Sequence, residues 1–426
     1  MARPSVLVIH NRYLEPGGED EVVRSEVALL RRQGHRVLQY VRDNRDIADF
    51  SRLRRASLVV TTTWDRDSYN EICALIQQEK PEVAHCHNLF PLLSPSVYYA
   101  CAAEGIPVVQ TVHNYRLLCP GGNFFRNGSI CDDCRGNLAR SMVRGCYHGS
   151  RGQTTSLTLM LGIHRALGTW VDKVTTYIAP SEFCRSKLIE GGISARKIAV
   201  KPHFVSEMSA PKSAFGDYAV FVGRLSEEKG ILPLLEMWRG LKEIPLVIVG
   251  SGPLEKAARR RADDIPGCTI RFTGHLPREQ ALSWIHAARF LVAPSRCYET
   301  FGLAVLEAMA CGVPAIVPRH GALRELVCNR RTGLIVDLED PEAWPGVIHW
   351  AWSHPLETWE MGRAAHSHCL DHYSVDANYQ QLMDLYRSAC VADEASDSQP
   401  SAADLVSAAP CANQTVPCEP QAYADD

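Results

Sequence analysis

The sequence predicts an α/β protein built from two doubly wound parallel sheets that face each other across a cleft. Three observations predict it. Short β-branched runs alternate with amphipathic stretches across Gly, Pro and Ser breaks, the mark of parallel strands covered on both faces. That alternation lapses near residue 205 and starts afresh near residue 218. A chain of 426 residues also exceeds one ordinary domain.

In the first half, strands are expected at residues 5–9, 37–40, 57–60, 83–86, 108–111 and 177–179. Helices are expected at 20–32, where Val22, Val23, Val27, Leu29 and Leu30 recur at helical spacing, and at 70–80 and 95–104. The second half offers strands at 218–222, 246–249, 269–272, 290–293, 315–317 and 334–336. Helices fit between them at 231–241, 253–262, 278–287, 302–311 and 322–327. Residues 203–216, aperiodic and containing Pro211, read as the linker. The expected division is residues 1–205, 206–372, a last helix within 373–390 (core 375–388), and an acidic tail at 391–426. Its richness in Ala, Ser, Pro and acidic residues predicts that the tail is disordered.

Hydrophobic residues make up 46% of the chain and charged residues 22%, which excludes a disordered chain, a collagen or a small disulfide scaffold. A formal charge of −3 gives no sign of a nucleic-acid partner. The acids of the tail leave the remainder mildly basic. The N-terminus lacks the basic and long apolar regions of a secretory signal, and no stretch has the length of a membrane span. Sixteen scattered cysteines then read as reduced thiols, most of them buried, in a cytoplasmic protein.

The most specific chemistry lies at Glu299-Thr300-Phe301-Gly302-Leu303, continuing to Glu307 and Gly312-Val313-Pro314. A strand ending at Pro294-Ser295 and a helix beginning near Gly302 would aim the N–H groups of Phe301, Gly302 and Leu303 at an anion. Glu307, about a turn and a half into that helix, can accept hydrogen bonds from a ribose diol, and Glu299 from sugar hydroxyls. A bare pair of glutamates would be solvated helix charges. Between Pro-Ser, Phe-Gly-Leu and Gly-x-Pro the functional reading is the better one. A second signal is Gly223-Arg224 with Lys229-Gly230 after a strand, two cations that can hold a diphosphate.

These motifs resemble the retaining GT-B glycosyltransferases of family four, the glycosyl transferases group 1. The Glu299–Glu307 spacing resembles that family's paired-Glu signature, and Gly223-Arg224 with Lys229 its diphosphate loop. Val249-Gly250-Ser251-Gly252-Pro253 and Phe272-Thr273-Gly274, where the family places the nucleobase, support the match. Looser matches are Pro16-Gly17-Gly18-Glu19 at a helix entry and His113-Asn114 after a strand. The resemblance implies two Rossmann-like domains, the first taking a glycan or lipid-linked acceptor and the second a nucleotide-diphosphate sugar. It implies transfer with retention, in surface polysaccharide or lipopolysaccharide synthesis. His113, Arg224, Lys229 and Glu299 are the implied catalytic group, with Gly17, Gly18, Gly223, Gly250, Gly274, Phe301, Gly302, Leu303 and Glu307 around the donor. No metal is needed for catalysis, since cations stand where a divalent ion would.

A separate cluster, Cys119, Cys131, Cys134 and Cys146, falls in a polar insertion at 116–151. Cys-x-x-Cys with one more cysteine on either side has ligand spacing for a structural zinc, and free thiols or a redox pair fit it equally. Residues 116–173 carry eight Lys or Arg against three Asp and run into an apolar stripe at Leu157, Leu159, Leu161, Ile163, Leu167 and Trp170. That stripe reads first as a core-facing helix and second as peripheral membrane contact at the inner face of the membrane. Two other function classes remain open: an epimerase-like or phosphorylase-like enzyme on the same fold, and a non-catalytic nucleotide-sugar-binding protein.

Overall fold

A computed structural model describes residues 3–14, 17–206, 214–338, 340 and 343–397. It contains two six-stranded sheets whose strands all run parallel. The first lies in the order Val37–Asp43, Val6–Arg12, Val83–Cys86, Val108–Thr111, Thr176–Ala179, Ile198–Val200. The second runs Ile270–Gly274, Leu246–Val249, Ala219–Val222, Phe290–Val292, Ala315–Pro318, Gly333–Val336. Val6, Leu7, Val8 and Ile9 are all buried, as are Phe290, Leu291 and Val292. Helices cover both faces of the central strands, so those runs are continuously apolar rather than alternating, while the edge strands Val37–Asp43 and Ile270–Gly274 are only partly buried.

Strand order reverses between Ala219–Val222 and Phe290–Val292 in the second sheet, and between Val6–Arg12 and Val83–Cys86 in the first. Loops leaving the carboxyl ends of neighbouring strands diverge there and open a crevice, the place where such sheets bind ligands.

The structure corrects the expected strand at 57–60. Those residues belong to a helix, Arg52–Thr61, capped by the Ser51 hydroxyl, which accepts a hydrogen bond from the Arg54 N–H at 3.2 Å. The helix lies against the helix Arg151–Ala166, where Ser156 Oγ donates to the Val59 carbonyl at 3.2 Å. Val59 and Val60 are exposed, so the β-branched run found a surface helix, and the cap overrode its strand propensity. The short edge strand Ile198–Val200 was not foreseen.

The last helix, Val375–Asp397, runs into the expected disordered tail and crosses back to the first sheet. Its Leu382, Met383, Tyr386 and Ala389 share a core with Val6, Val8, Val23, Val27 and Val109. Residues 398–426 of the expected tail, and 207–213 of the linker, lie outside the described residues. The stripe on Arg151–Ala166 divides. Leu157 and Leu161 are buried, whereas Leu159, Ile163 and the following Leu167 are exposed. No helix among the described residues is long and apolar enough to cross a membrane.

Candidate functional site

The switch point of the second sheet carries the charged residues. After Ala219–Val222 the chain passes Gly223, Arg224 and Lys229 into the helix Ile231–Trp238. After Phe290–Val292 it passes Ser295 and Glu299 into the helix Leu303–Ala310. Lys229 Nζ donates to Glu299 Oε1 at 2.6 Å, and Ser295 Oγ donates to the same oxygen at 2.7 Å. Burial works against charge on both groups. The mutual attraction overcomes it, holding Lys229 above and Glu299 below its ordinary range. Both are therefore ionised at neutral pH. Arg224 and His148 are both exposed, and desolvation, then Arg116 and Arg224, hold the His148 ring below the usual histidine range.

Glycine is required where this site closes on itself. A Cβ on Gly250 would lie 2.0 Å from the Gly223 carbonyl oxygen, while the Gly250 N–H donates to the Gly274 carbonyl at 2.9 Å. Gly302 caps the helix Leu303–Ala310 at φ +120°, and a Cβ there would fall 2.2 Å from Leu323 Cδ2. The Leu303 and Ala304 N–H groups at the start of that helix have no intrahelical acceptor, whereas Val305 and Leu306 both donate to the Gly302 carbonyl at 3.1 Å. The Phe301 side chain is buried against the rings of His203 and Tyr373, so its backbone amide is what it can offer a ligand. Glu307 is raised by burial, with Arg278 opposing. Its Oε1 accepts from Arg278 Nε at 2.8 Å, and the same nitrogen stands 3.4 Å from Glu21 on the opposite half.

The first sheet answers with histidines. His10-Asn11, His87-Asn88 and His113-Asn114 end or follow three adjacent strands. His87 Nδ1 and His113 Nε2 share a hydrogen bond at 2.9 Å, and the His113 ring stacks on His203 with centroids 5.5 Å apart. Burial, then its histidine neighbours, keeps His113 neutral, well below the usual histidine range. Beneath lies a buried pair, Lys201 Nζ donating to Glu26 Oε1 at 2.7 Å. Glu26, His85 and His87 form a tight group of metal-ligating types, most of whose donor atoms are already engaged, although Glu26 Oε2 has no hydrogen-bond partner and stands 3.8 Å from His87 Nε2. Both His85 ring nitrogens are taken, by Tyr386 and Thr111, and Lys201 already neutralises Glu26.

The two halves meet around these groups. Tyr115 Oη donates to the Glu299 carbonyl at 3.1 Å, and Thr300 Oγ1 to the His113 carbonyl at 3.0 Å. Ser181 Oγ donates to the Thr300 carbonyl at 2.7 Å. Glu325 accepts the Glu182 and Phe183 N–H groups at 3.0 and 2.7 Å, capping the helix Glu182–Glu190 from the other half. A Cβ on Gly18 would lie 2.9 Å from Leu303 Cδ1, whereas Gly17, the helix N-cap, has open space around it. Pro16 lies outside the described residues. His113, Lys229, Glu299 and the Gly302 helix start are thus brought to one crevice. The four cysteines are gathered at its edge.

A family model described as Glycosyltransferase Family 4 matches residues 16–207, and one described as Glycosyl transferases group 1 matches residues 216–353. The chain thus carries a glycosyltransferase family 4 domain followed by a glycosyl transferases group 1 domain. Among curated relatives, the D-rhamnosyltransferase WbpZ of Pseudomonas aeruginosa is 30% identical over 39% of this chain and 41% of its own length. A D-inositol 3-phosphate glycosyltransferase of Corynebacterium urealyticum is 34% identical over 39% of this chain and 42% of its own length. The chain thus spans about two fifths of the curated relatives it matches. The fold extends further. Sucrose-phosphate synthase from Thermosynechococcus elongatus aligns with TM-score 0.66 at 18% identity, covering 91% of this chain and all of that one. HepE from Anabaena, in complex with UDP and glucose, aligns with TM-score 0.64 at 15% identity over 90% of this chain and 100% of its own. Both confirm the two-sheet GT-B architecture.

Within this crevice the sequence reading missed Arg278, the partner of Glu307, and Glu19. Glu19 lines a pocket with His87, Asn88, His113, Asn114 and Arg116. Burial raises its carboxyl to about 7, and its Oε1 is buried without a hydrogen-bond partner. One signal was legible: the His-Asn dipeptide recurs at three strand ends.

Proposed function

We propose that the chain moves a sugar from a nucleoside-diphosphate sugar to a hydroxyl of a glycan or lipid-linked acceptor, with retention of configuration. The observation that carries this is the ionised Lys229–Glu299 pair at the switch point, facing neutral His113 across the crevice. In this reading the second half binds the donor and the first the acceptor. Lys229, Arg224 and the amides at Phe301, Gly302 and Leu303 stabilise charge building on the departing diphosphate, where a preorganised donor acts without reorganising. Glu299 fixes Lys229 and offers its second oxygen to the sugar. Neutral His113 can donate to a sugar hydroxyl or accept from one, and does not repel the developing oxocarbenium charge. Glu307 holds the ribose once Arg278 shares it, and Gly17, Gly18, Gly223, Gly250 and Gly274 let backbone approach the donor. Two fixed cations do the work of a divalent ion, so transfer needs no metal.

Surface polysaccharide or lipopolysaccharide synthesis at the cytoplasmic face of a membrane is the proposed setting. Supporting it, the described cysteines are free thiols, suiting a reducing compartment. The exposed Leu53, Val60, Leu159, Ile163 and Leu167 lie on or beside two packed helices that also carry arginines, and such a face suits anionic headgroups. A thermal-shift panel of nucleotide sugars tests the assignment, followed by turnover with free and lipid-linked acceptors. Acceptor-dependent release of nucleoside diphosphate supports transfer. Donor isomerisation, phosphorolysis, or binding without turnover overturns it.

A further inference from the structure

The insertion at the edge of the crevice holds little regular structure. It has a hairpin of two-residue strands, Phe125–Arg126 and Ser129–Ile130, and a short helix, Ala139–Arg144. Its apolar contribution to the main core is small, chiefly Leu118 and Phe124. Such a segment has too little burial to offset its ordering entropy, yet it makes contacts that need a fixed position. A Cβ on Gly128, at the hairpin turn, would lie 3.5 Å from Arg296 Nη1 and 3.7 Å from Glu227 Oε1, both on donor-half loops. The Phe124 ring meets Tyr298 edge-on with centroids 5.9 Å apart. His148 stands close to Arg224.

Four cysteines bracket this segment, and the fold brings them together. Cys119 closes a turn, its N–H donating to the Tyr115 carbonyl at 2.8 Å. Cys131 and Cys134 follow the hairpin, and Cys146 follows the short helix. Cys119 and Cys134 are buried, the other two half-buried, and all four are free thiols. The Cβ position of Gly121 lies 3.7 Å from Cys119 Sγ and 3.4 Å from the Cys146 carbonyl oxygen. Cys134 lies near enough to Cys119, Cys146 and Cys131 for each to act on it electrostatically. Arg144 Nη1 lies 4.0 Å from Cys131 Sγ and is also paired with Asp133, two residues along the same loop.

We propose that Cys119, Cys131, Cys134 and Cys146 bind one zinc ion as a closed tetrathiolate site that clamps the hairpin against the donor half of the crevice. The site is independent of the transfer reaction. Binding releases the thiol protons to solvent. No three of the sulfurs lie within 4.8 Å of one another, while a tetrahedral site with zinc–sulfur bonds of about 2.3 Å needs edges of about 3.8 Å. The cluster therefore contracts around the ion, coupling metal binding to the order of the hairpin.

The experiment uses the full chain purified without chelator. Elemental analysis should give about one zinc per chain, and X-ray absorption at the zinc edge a shell of four sulfurs at about 2.3 Å. Cys131→Ser should lower the zinc content at least tenfold and open residues 120–150 to limited proteolysis, while Cys73→Ser keeps the metal. Should Cys131→Ser fold poorly, the wild-type absorption spectrum decides alone. Four thiols here that titrate freely in metal-free folded protein overturn the proposal. So does a disulfide among them, or zinc held by nitrogen or oxygen ligands.

Discussion

Replacing Lys229 by Ala perturbs two quantities that a second substitution can separate. Its ammonium lies 2.6 Å from Glu299 Oε1, with the side chains 31% and 16% exposed. Breaking a buried pair costs about 3–5 kcal/mol, and exposed pairs are worth less than about 1 kcal/mol. This half-screened pair should fall between, near 2 kcal/mol, because Glu299 is left charged with only Ser295 donating to it. If Lys229 also meets charge on the leaving diphosphate, its loss should lower kcat between tenfold and about 10³-fold. Glu299→Gln in the Lys229→Ala background removes the stranded charge. Thermal denaturation should then show most of the stability restored, while initial rates of nucleoside-diphosphate release stay low. Sign follows from the same pair. The lowered Glu299 pKa gives stability present above the unfolded carboxylate value and lost as pH falls through the folded one, and Lys229→Ala should flatten that acid limb. Near-wild-type rates in folded Lys229→Ala, or activity returning with the double substitution, would refute the reasoning.

Glu307→Ala should weaken donor binding about tenfold to a hundredfold by calorimetry, the range of a hydrogen bond to a charged group, with kcat little changed; unaltered affinity removes Glu307 from the site. Glu19, raised to about 7 from 4.5, holds its proton in the folded state across that window. Stability should therefore fall as pH rises from about 4.5 to 7, and Glu19→Gln should abolish this slope in melting temperature; a slope that persists assigns it elsewhere. Gly302→Ala should cost at least about 1–3 kcal/mol, because φ is +120° and the new Cβ meets Leu323; an unchanged melting temperature would contradict the geometry.

The sheets were legible because parallel strands covered on both faces read as unbroken apolar runs, and Val6–Ile9 or Leu246–Val249 can hardly be anything else. The run at 57–60 misled because Val59 and Val60 carry strand propensity on an exposed helix, and propensity yields to a cap and a packing partner. At the site, the Gly302 and Lys229 motifs were local and therefore readable. Arg278 was not, since its meaning lies in reaching Glu307 and Glu21, which are distant in sequence. Nor was Glu19 readable as a raised carboxyl, because burial against Tyr13 and Arg116 exists only after folding. The helix Val375–Asp397 was foreseen as a helix, but its return to the first sheet was not. That docking depends on long-range partners for Tyr386 and Tyr379, His85 and His35.

The proposed reaction cleaves the sugar–diphosphate bond in the crevice between the sheets and passes the sugar to an acceptor. Its most direct measurement is release of nucleoside diphosphate from a panel of nucleotide sugars, with and without acceptor, by the wild type and by Arg224→Ala and Lys229→Ala. At least one donor should show release that requires acceptor, with both variants folded and slowed at least tenfold. Release unaffected by either substitution, or tight donor binding with no release under any acceptor, would contradict it.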